Sequence, residues 1–207
     1  MRNRSRPTFL GVSVAILFAF IAPAKSTAQP SESRFRRGLL AAPYLGVNVP
    51  IGTGGSFDTG YRGGVLLGWH GSTVLSLNGE FTIDVLNPSS RYGPGSSESM
   101  EDVLFSPLLH FGGEGIEGFI GPKIGGFASS STANFQSTSL HTSEQGVAYG
   151  FNFGAAIPAG AVAIGGLVSL VVRHPTHVCN TRPGQSEQCG ASANEFGTLS
   201  AVGLVLF

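Results

Sequence analysis

The sequence predicts an all-β fold: an eight-stranded antiparallel transmembrane β-barrel with up-and-down topology. Two observations carry this. Segments of 10 to 15 residues alternate apolar and polar side chains with period two, and the connections between them alternate long and short along the whole chain. A third observation narrows the class. With 42% hydrophobic and only 12% charged residues the chain is apolar on average, yet no apolar run of helix-spanning length follows its first 28 residues.

In chain order, residues 1–28 carry Arg2, Arg4 and Arg6, an apolar run from Phe9 to Ile21, and small residues Ser26 and Ala28 before Gln29. That is the layout of a secretory signal peptide cleaved near Ala28, because the apolar run is shorter than the ~20 residues a membrane-crossing helix needs. A lipid-anchored start is not expected, since the first cysteine is Cys179. Residues 29–38 then form an N-terminal periplasmic tail and 39–207 the barrel. Cleavage removes Arg2, Arg4, Arg6 and Lys25 and no acid. From 12 basic and 12 acidic residues this leaves 8 and 12, a net charge of −4. An acidic chain whose one basic cluster is Arg34, Arg36 and Arg37 lacks the footprint of a nucleic-acid binder.

The strand-like segments are 39–50, 61–70, 74–86, 100–111, 116–128, 144–158, 162–174 and 195–207. They exceed the usual five or six residues of a globular strand and suit a tilted membrane strand of about 9 to 11 residues with protruding ends. The third shows the pattern best, with Leu75, Leu77, Phe81, Ile83 and Val85 on one face and Ser76, Asn78, Glu80, Thr82 and Asp84 on the other. In the sixth, Val147, Tyr149, Phe151, Phe153, Ala155 and Ile157 oppose Ala148, Gly150, Asn152, Gly154 and Ala156. A soluble sandwich would need a second layer over the apolar face. No amphipathic helix supplies one, and Trp69, Tyr61 and Tyr149 on that face suit a lipid interface.

Connections 51–60, 87–99, 129–143 and 175–194 run 10, 13, 15 and 20 residues, whereas 71–73, 112–115 and 159–161 run 3 or 4. A membrane barrel sorts its loops this way, with tight turns at one end and free loops at the other. An even strand number places both chain ends on the tight-turn side. Pro43, Pro107 and Pro122 fall inside strands, where each removes a ladder donor, and predict bulges or shorter strands.

The leader, the eight alternating segments, the sorted loops and the apolar last strand 196–207 ending on Phe207 together resemble the small eight-stranded outer-membrane β-barrels, of the OmpA transmembrane domain and OmpX kind. The resemblance covers residues 39–207. It implies an outer-membrane location, outer-membrane lipids as the surroundings, and a monomer. It also implies delivery by periplasmic chaperones to the barrel-assembly machinery, with Phe207 as the assembly signal. It transfers no active site.

On this facing the lumen receives Arg62, Glu80, Asp84, Asp102, Glu117, Lys123 and Arg173. Eight strands leave a lumen only just wide enough for side chains, so these charges are expected to pair as a structural network. The alternative is a narrow ion or solute channel lined by the same residues, with room left by Gly64, Gly68, Gly150, Gly154 and Gly165. Cys179 and Cys189 in the longest loop are expected to form a disulfide in an exported protein. A metal centre adding His174 and His177 is the sharper alternative, but an oxidising compartment disfavours free thiolates, and neither metal nor cofactor is expected. His141 and Ser143 have the His-x-Ser spacing of a lipid-modifying barrel enzyme, but Glu144 alternates to the other face, so the triad lacks its carboxylate. The expectation is therefore a structural or surface-exposed barrel without catalysis.

Overall fold

The computed structural model describes residues 38–51, 57–71, 74–89, 92–112, 115–135, 138–192 and 194–207; the expected signal peptide and nearly all of the N-terminal tail lie outside them. Among the described residues nine strands follow in order: β1 (Gly38–Ile51), β2 (Phe57–His70), β3 (Leu75–Pro88), β4 (Ser97–Gly112), β5 (Glu117–Phe135), β6 (Thr138–Ala159), β7 (Val162–Thr181), β8 (Gln188–Gly190) and β9 (Phe196–Leu206). Each of β1 to β7 pairs antiparallel with the next, and β9 pairs with both β7 and β1. The ring therefore closes on eight strands, and the three-residue β8 is an addition hydrogen-bonded to β7 above β9. Closure leaves no free edge in the wall.

Side chains sort as the alternation predicts. In β3, Ser76, Asn78, Glu80, Thr82, Asp84 and Leu86 are buried in the lumen, while Leu75, Leu77 and Val85 are exposed outside. The exterior carries Leu39 (85% exposed), Trp69, Phe105, Leu109, Ile124, Phe151, Phe153 and Ile164. A continuous apolar outside around a polar inside inverts the arrangement of a soluble protein and suits a lipid belt. On β4 the belt runs from Phe111 to Val103, and the next outward residues are Glu101 and Ser99.

The lumen is layered. Toward the tight-turn end Leu40, Leu66, Leu108, Phe119, Leu167 and Leu206 belong to an apolar cluster. Leu104, Phe127, Ala148 and Val171 form a second one, with Phe196 against it. Small lumen residues make room for large neighbours. Tyr44 pairs with Gly64 across β1 and β2, and a Cβ added at Gly64 would lie 2.7 Å from the tyrosine Cζ.

Two expectations are corrected. Segment 129–143 is not a long loop, because β5 and β6 continue as a paired hairpin through Phe135↔Thr138. The other long connections shorten too, with β4 starting at Ser97 and β7 reaching Thr181. Above the belt the outer face of a strand meets water instead of lipid and the inner face is polar, so Ser- and Thr-rich sequence sustains pairing without apolar alternation. The prolines, in turn, cause neither bulges nor short strands. Phe105↔Ile124 and Leu109↔Ile120 hold one register across β4 and β5, which sets Pro107 opposite Pro122 where the ladder is interrupted. Two residues without N–H donors thus share one gap. Pro43 pairs with Val65 on one side, and the β1–β9 ladder begins only at Tyr44. Register shifts occur elsewhere, between Asp58 and Tyr61 and between Gln145 and Gly146.

Candidate functional site

The alternation of β3 puts Glu80, Thr82 and Asp84 on one inward row, and β2 and β4 set Arg62 and Asp102 beside it through the pairs Arg62↔Asp84 and Thr82↔Asp102. Arg62 Nη1 donates to Asp84 Oδ1 and Oδ2 at 3.2 and 3.0 Å, and its Nη2 to Glu80 Oε1 at 3.4 Å. From the far wall, Arg173 Nε donates to Asp102 Oδ1 at 2.8 Å and its Nη2 to Asp102 Oδ2 at 2.6 Å. Arg173 also bonds Asp84, donates from Nη1 to Thr198 Oγ1 at 3.0 Å, and has its guanidinium 5.9 Å from the Phe196 ring centroid.

Glu80 is the second hub. It accepts from Tyr44 Oη at 2.8 Å, Lys123 Nζ at 3.3 Å and Asn152 Nδ2 at 3.0 Å. Lys123 also donates to Ser169 Oγ at 2.5 Å, and Thr82 Oγ1 to Asp102 Oδ2 at 2.8 Å. Arg62, Lys123 and Arg173 balance Glu80, Asp84 and Asp102, and the side chains of all six ions are 0% exposed. Counting Tyr44, Asn152 and Thr198, every strand of the ring contributes a partner. Charges removed from water demand this compensation, and here it is supplied across the lumen.

Glu117 is not part of this network, although its position on the inward row suggested so. It opens β5 at the tight-turn end, where its Oε1 lies 2.5 Å from His110 Nδ1. His110 Nε2 in turn lies 2.7 Å from Ser76 Oγ, and His70 stacks on His110 with ring centroids 4.4 Å apart. The order Ser76, His110, Glu117 is that of a nucleophile, its base and an orienting acid. Ser76 is 0% exposed, and its Oγ also accepts from Asn78 Nδ2 at 2.9 Å. Residue type alone does not single out His70 and His110, but each has the inward parity of its strand, and that is the signal in the sequence.

At the long-loop mouth, beyond the belt, Glu98 and Glu144 face inward. Burial, and after it the neighbouring Glu144 charge, pushes the Glu98 carboxyl up to about 7. Burial raises Glu144 as well, against an opposing hydrogen bond from Ser129.

His141 and Ser143 share the outward face of β6, where His141 Nδ1 lies 3.3 Å from Thr132 Oγ1. Glu144 is turned to the lumen, and the structure brings no acid to His141 among the described contacts. Cys179 and Cys189 form a disulfide that joins β7 to β8. With both sulfurs bonded to each other the thiolate metal centre falls away, and His174 instead lies 3.2 Å from Glu195 Oε1. Phe207 is 60% exposed on the outer face, and its N–H bonds Ala41 O at 3.0 Å, extending the β1–β9 closure.

No protein-family model matches the chain, and no curated protein matches it in sequence. Solved structures do match in fold. Neisserial surface protein A is similar with a TM-score of 0.53 at 9% identity, covering 81% of this chain and 94% of that one. Ail, the attachment invasion locus protein of Yersinia pestis, gives 0.51 at 12% identity over 83% and 100%. A major outer membrane protein from Thermus thermophilus gives 0.50 at 12% identity over 82% and 99%. At these identities the likeness is one of fold, the eight-stranded antiparallel barrel.

Proposed function

We propose that a chain with this fold is an outer-membrane protein whose lumen is closed by its own side chains, with a structural or surface-exposed role and no catalysis. The observation that carries the reading is the neutral cluster of Arg62, Lys123, Arg173, Glu80, Asp84 and Asp102, fully buried and joined across the lumen. An ion path at this level would have to separate Glu80 from Lys123 and Arg62, leaving charges unpaired in a narrow lumen.

Outer-membrane lipids cover the apolar belt, and the chain acts as a monomer. The signal peptide is removed near Ala28, periplasmic chaperones escort the chain, and the barrel-assembly machinery reads Phe207. The hairpin of β5 and β6 and the upper part of β7 rise past the belt and supply the surface-exposed part. Swelling of proteoliposomes in small sugars tests the closed lumen. Wild-type protein is expected to swell no faster than empty vesicles, and sugar-size-dependent swelling would refute the reading.

A further inference from the structure

Three donors outside the central network converge at the tight-turn end of the lumen. His70 closes β2, His110 lies near the end of β4 and Glu117 opens β5. One ring nitrogen of each histidine and a carboxylate oxygen of Glu117 lie within 4.8 Å of one another. Two of the three are already engaged, since His110 Nδ1 and Glu117 Oε1 stand within hydrogen-bond distance at 2.5 Å. The third is left over. His70 is 2% exposed, and its Nε2 has no hydrogen-bond partner. A buried ring nitrogen without a partner forfeits its hydration and gains nothing in return, so it calls for an occupant.

We propose that His70, His110 and Glu117 form a binding site for a divalent transition metal of the zinc class. Two imidazoles and one carboxylate are a three-donor set that zinc accepts, with water in the fourth position. Imidazole nitrogen selects borderline metals over magnesium or calcium, which prefer oxygen alone. The metal takes the place of the hydrogen bond between His110 Nδ1 and Glu117 Oε1, and His110 binds as the neutral imidazole with its one N–H on Nε2, toward Ser76 Oγ. Bond lengths of about 2.0–2.2 Å require those two atoms to open by no more than about 1 Å.

The support behind the donors is already built. His110 Nε2 meets Ser76 Oγ at 2.7 Å, and Asn78 Nδ2 donates to the same oxygen at 2.9 Å. This is the outer hydrogen bond that fixes the tautomer and aim of a ligating histidine. The Glu117 side chain, 12% exposed, gives the site an opening at the tight-turn end. A metal held there ties β2, β4 and β5 together beneath the apolar layer, and binding only to the folded barrel stabilises it. The site does not depend on whether the lumen conducts.

The test is metal titration of the chelator-stripped, full-length barrel in detergent micelles, with Zn2+ by calorimetry and Co2+ by visible absorption. One saturable equivalent is expected, with the intense d–d bands of four-coordinate Co2+. His70→Phe, which keeps the ring stack but not the donor, and Glu117→Gln are each expected to weaken affinity by at least about tenfold. His177→Ala, beside the distant disulfide, is expected to bind as wild type. Heat-dependent gel mobility shows that each variant is folded. Absence of saturable binding by the folded wild type, or unchanged affinity in folded His70→Phe, overturns the site.

Discussion

Arg173 on β7 grips Asp102 on β4 with a two-pronged guanidinium bond, Nε to Oδ1 at 2.8 Å and Nη2 to Oδ2 at 2.6 Å, across 71 residues of sequence. The two strands are not neighbours in the wall, so the pair spans the lumen. Arg173→Met would leave Asp102 and Asp84 with Arg62 as their remaining cation. Denaturant unfolding in lipid should show a loss of about 3–5 kcal/mol, as for one partner taken from a buried pair. Arg173→Met combined with Asp102→Leu should cost less than the sum of the single changes. Additivity would mean that the pair is not coupled.

The mouth carries a pH dependence with a definite sign. The Glu98 carboxyl is raised from its usual 4.5 to about 7, first by burial and then by Glu144. In that interval the folded state binds more protons than the unfolded one, so stability falls as pH climbs from about 4.5 to 7 and stays lower above it. Glu98→Gln should remove most of this decline, a gain on the order of 1–2 kcal/mol at pH 8. Unfolding midpoints measured from pH 4 to 8 check it, and parallel wild-type and variant curves would refute it.

Outward residues of β6 should respond to charge by depth. Phe153 lies in the apolar belt and His141 above it, on the same strand and the same face. Phe153→Arg should cost about 2–4 kcal/mol of folding free energy in vesicles, and His141→Arg close to nothing. Equal costs would contradict the placement of the belt.

The disulfide fastens β8 to β7 above the β9 closure. Closing a loop of about ten residues is worth about 2–3 kcal/mol, and that stabilisation is local to the upper ribbon. Cys179→Ser with Cys189→Ser should therefore keep the folded gel mobility while proteolysis within 182–194 becomes faster. Loss of the folded band would show that the bond holds the barrel itself.

The wall was legible because lipid on one side and packed lumen on the other force period-two patterning, as Leu75 to Leu86 record residue by residue. The upper hairpin was not. Where β5 and β6 leave the belt, the outer face meets water in place of lipid and the inner face is polar, so Ser129, Ser130, Ser131 and Thr132 read as loop while pairing as strand. Strand parity placed Arg62, Glu80, Asp84, Asp102, Lys123 and Arg173 in the lumen, but which charge meets which depends on the stagger between strands. The same stagger separates Glu117 from that cluster and sends it to His110. Parity also placed His70 and His110 inward, and only the closed ring brings them together.

The closed lumen is tested most directly by planar-bilayer recording of the refolded wild-type barrel, with Glu80→Gln and Lys123→Met recorded beside it. A silent wild type is expected, because Glu80 and Lys123 stay paired in the lumen at 3.3 Å. Discrete unitary steps in the wild type whose size changes on substituting Glu80 or Lys123 would contradict it.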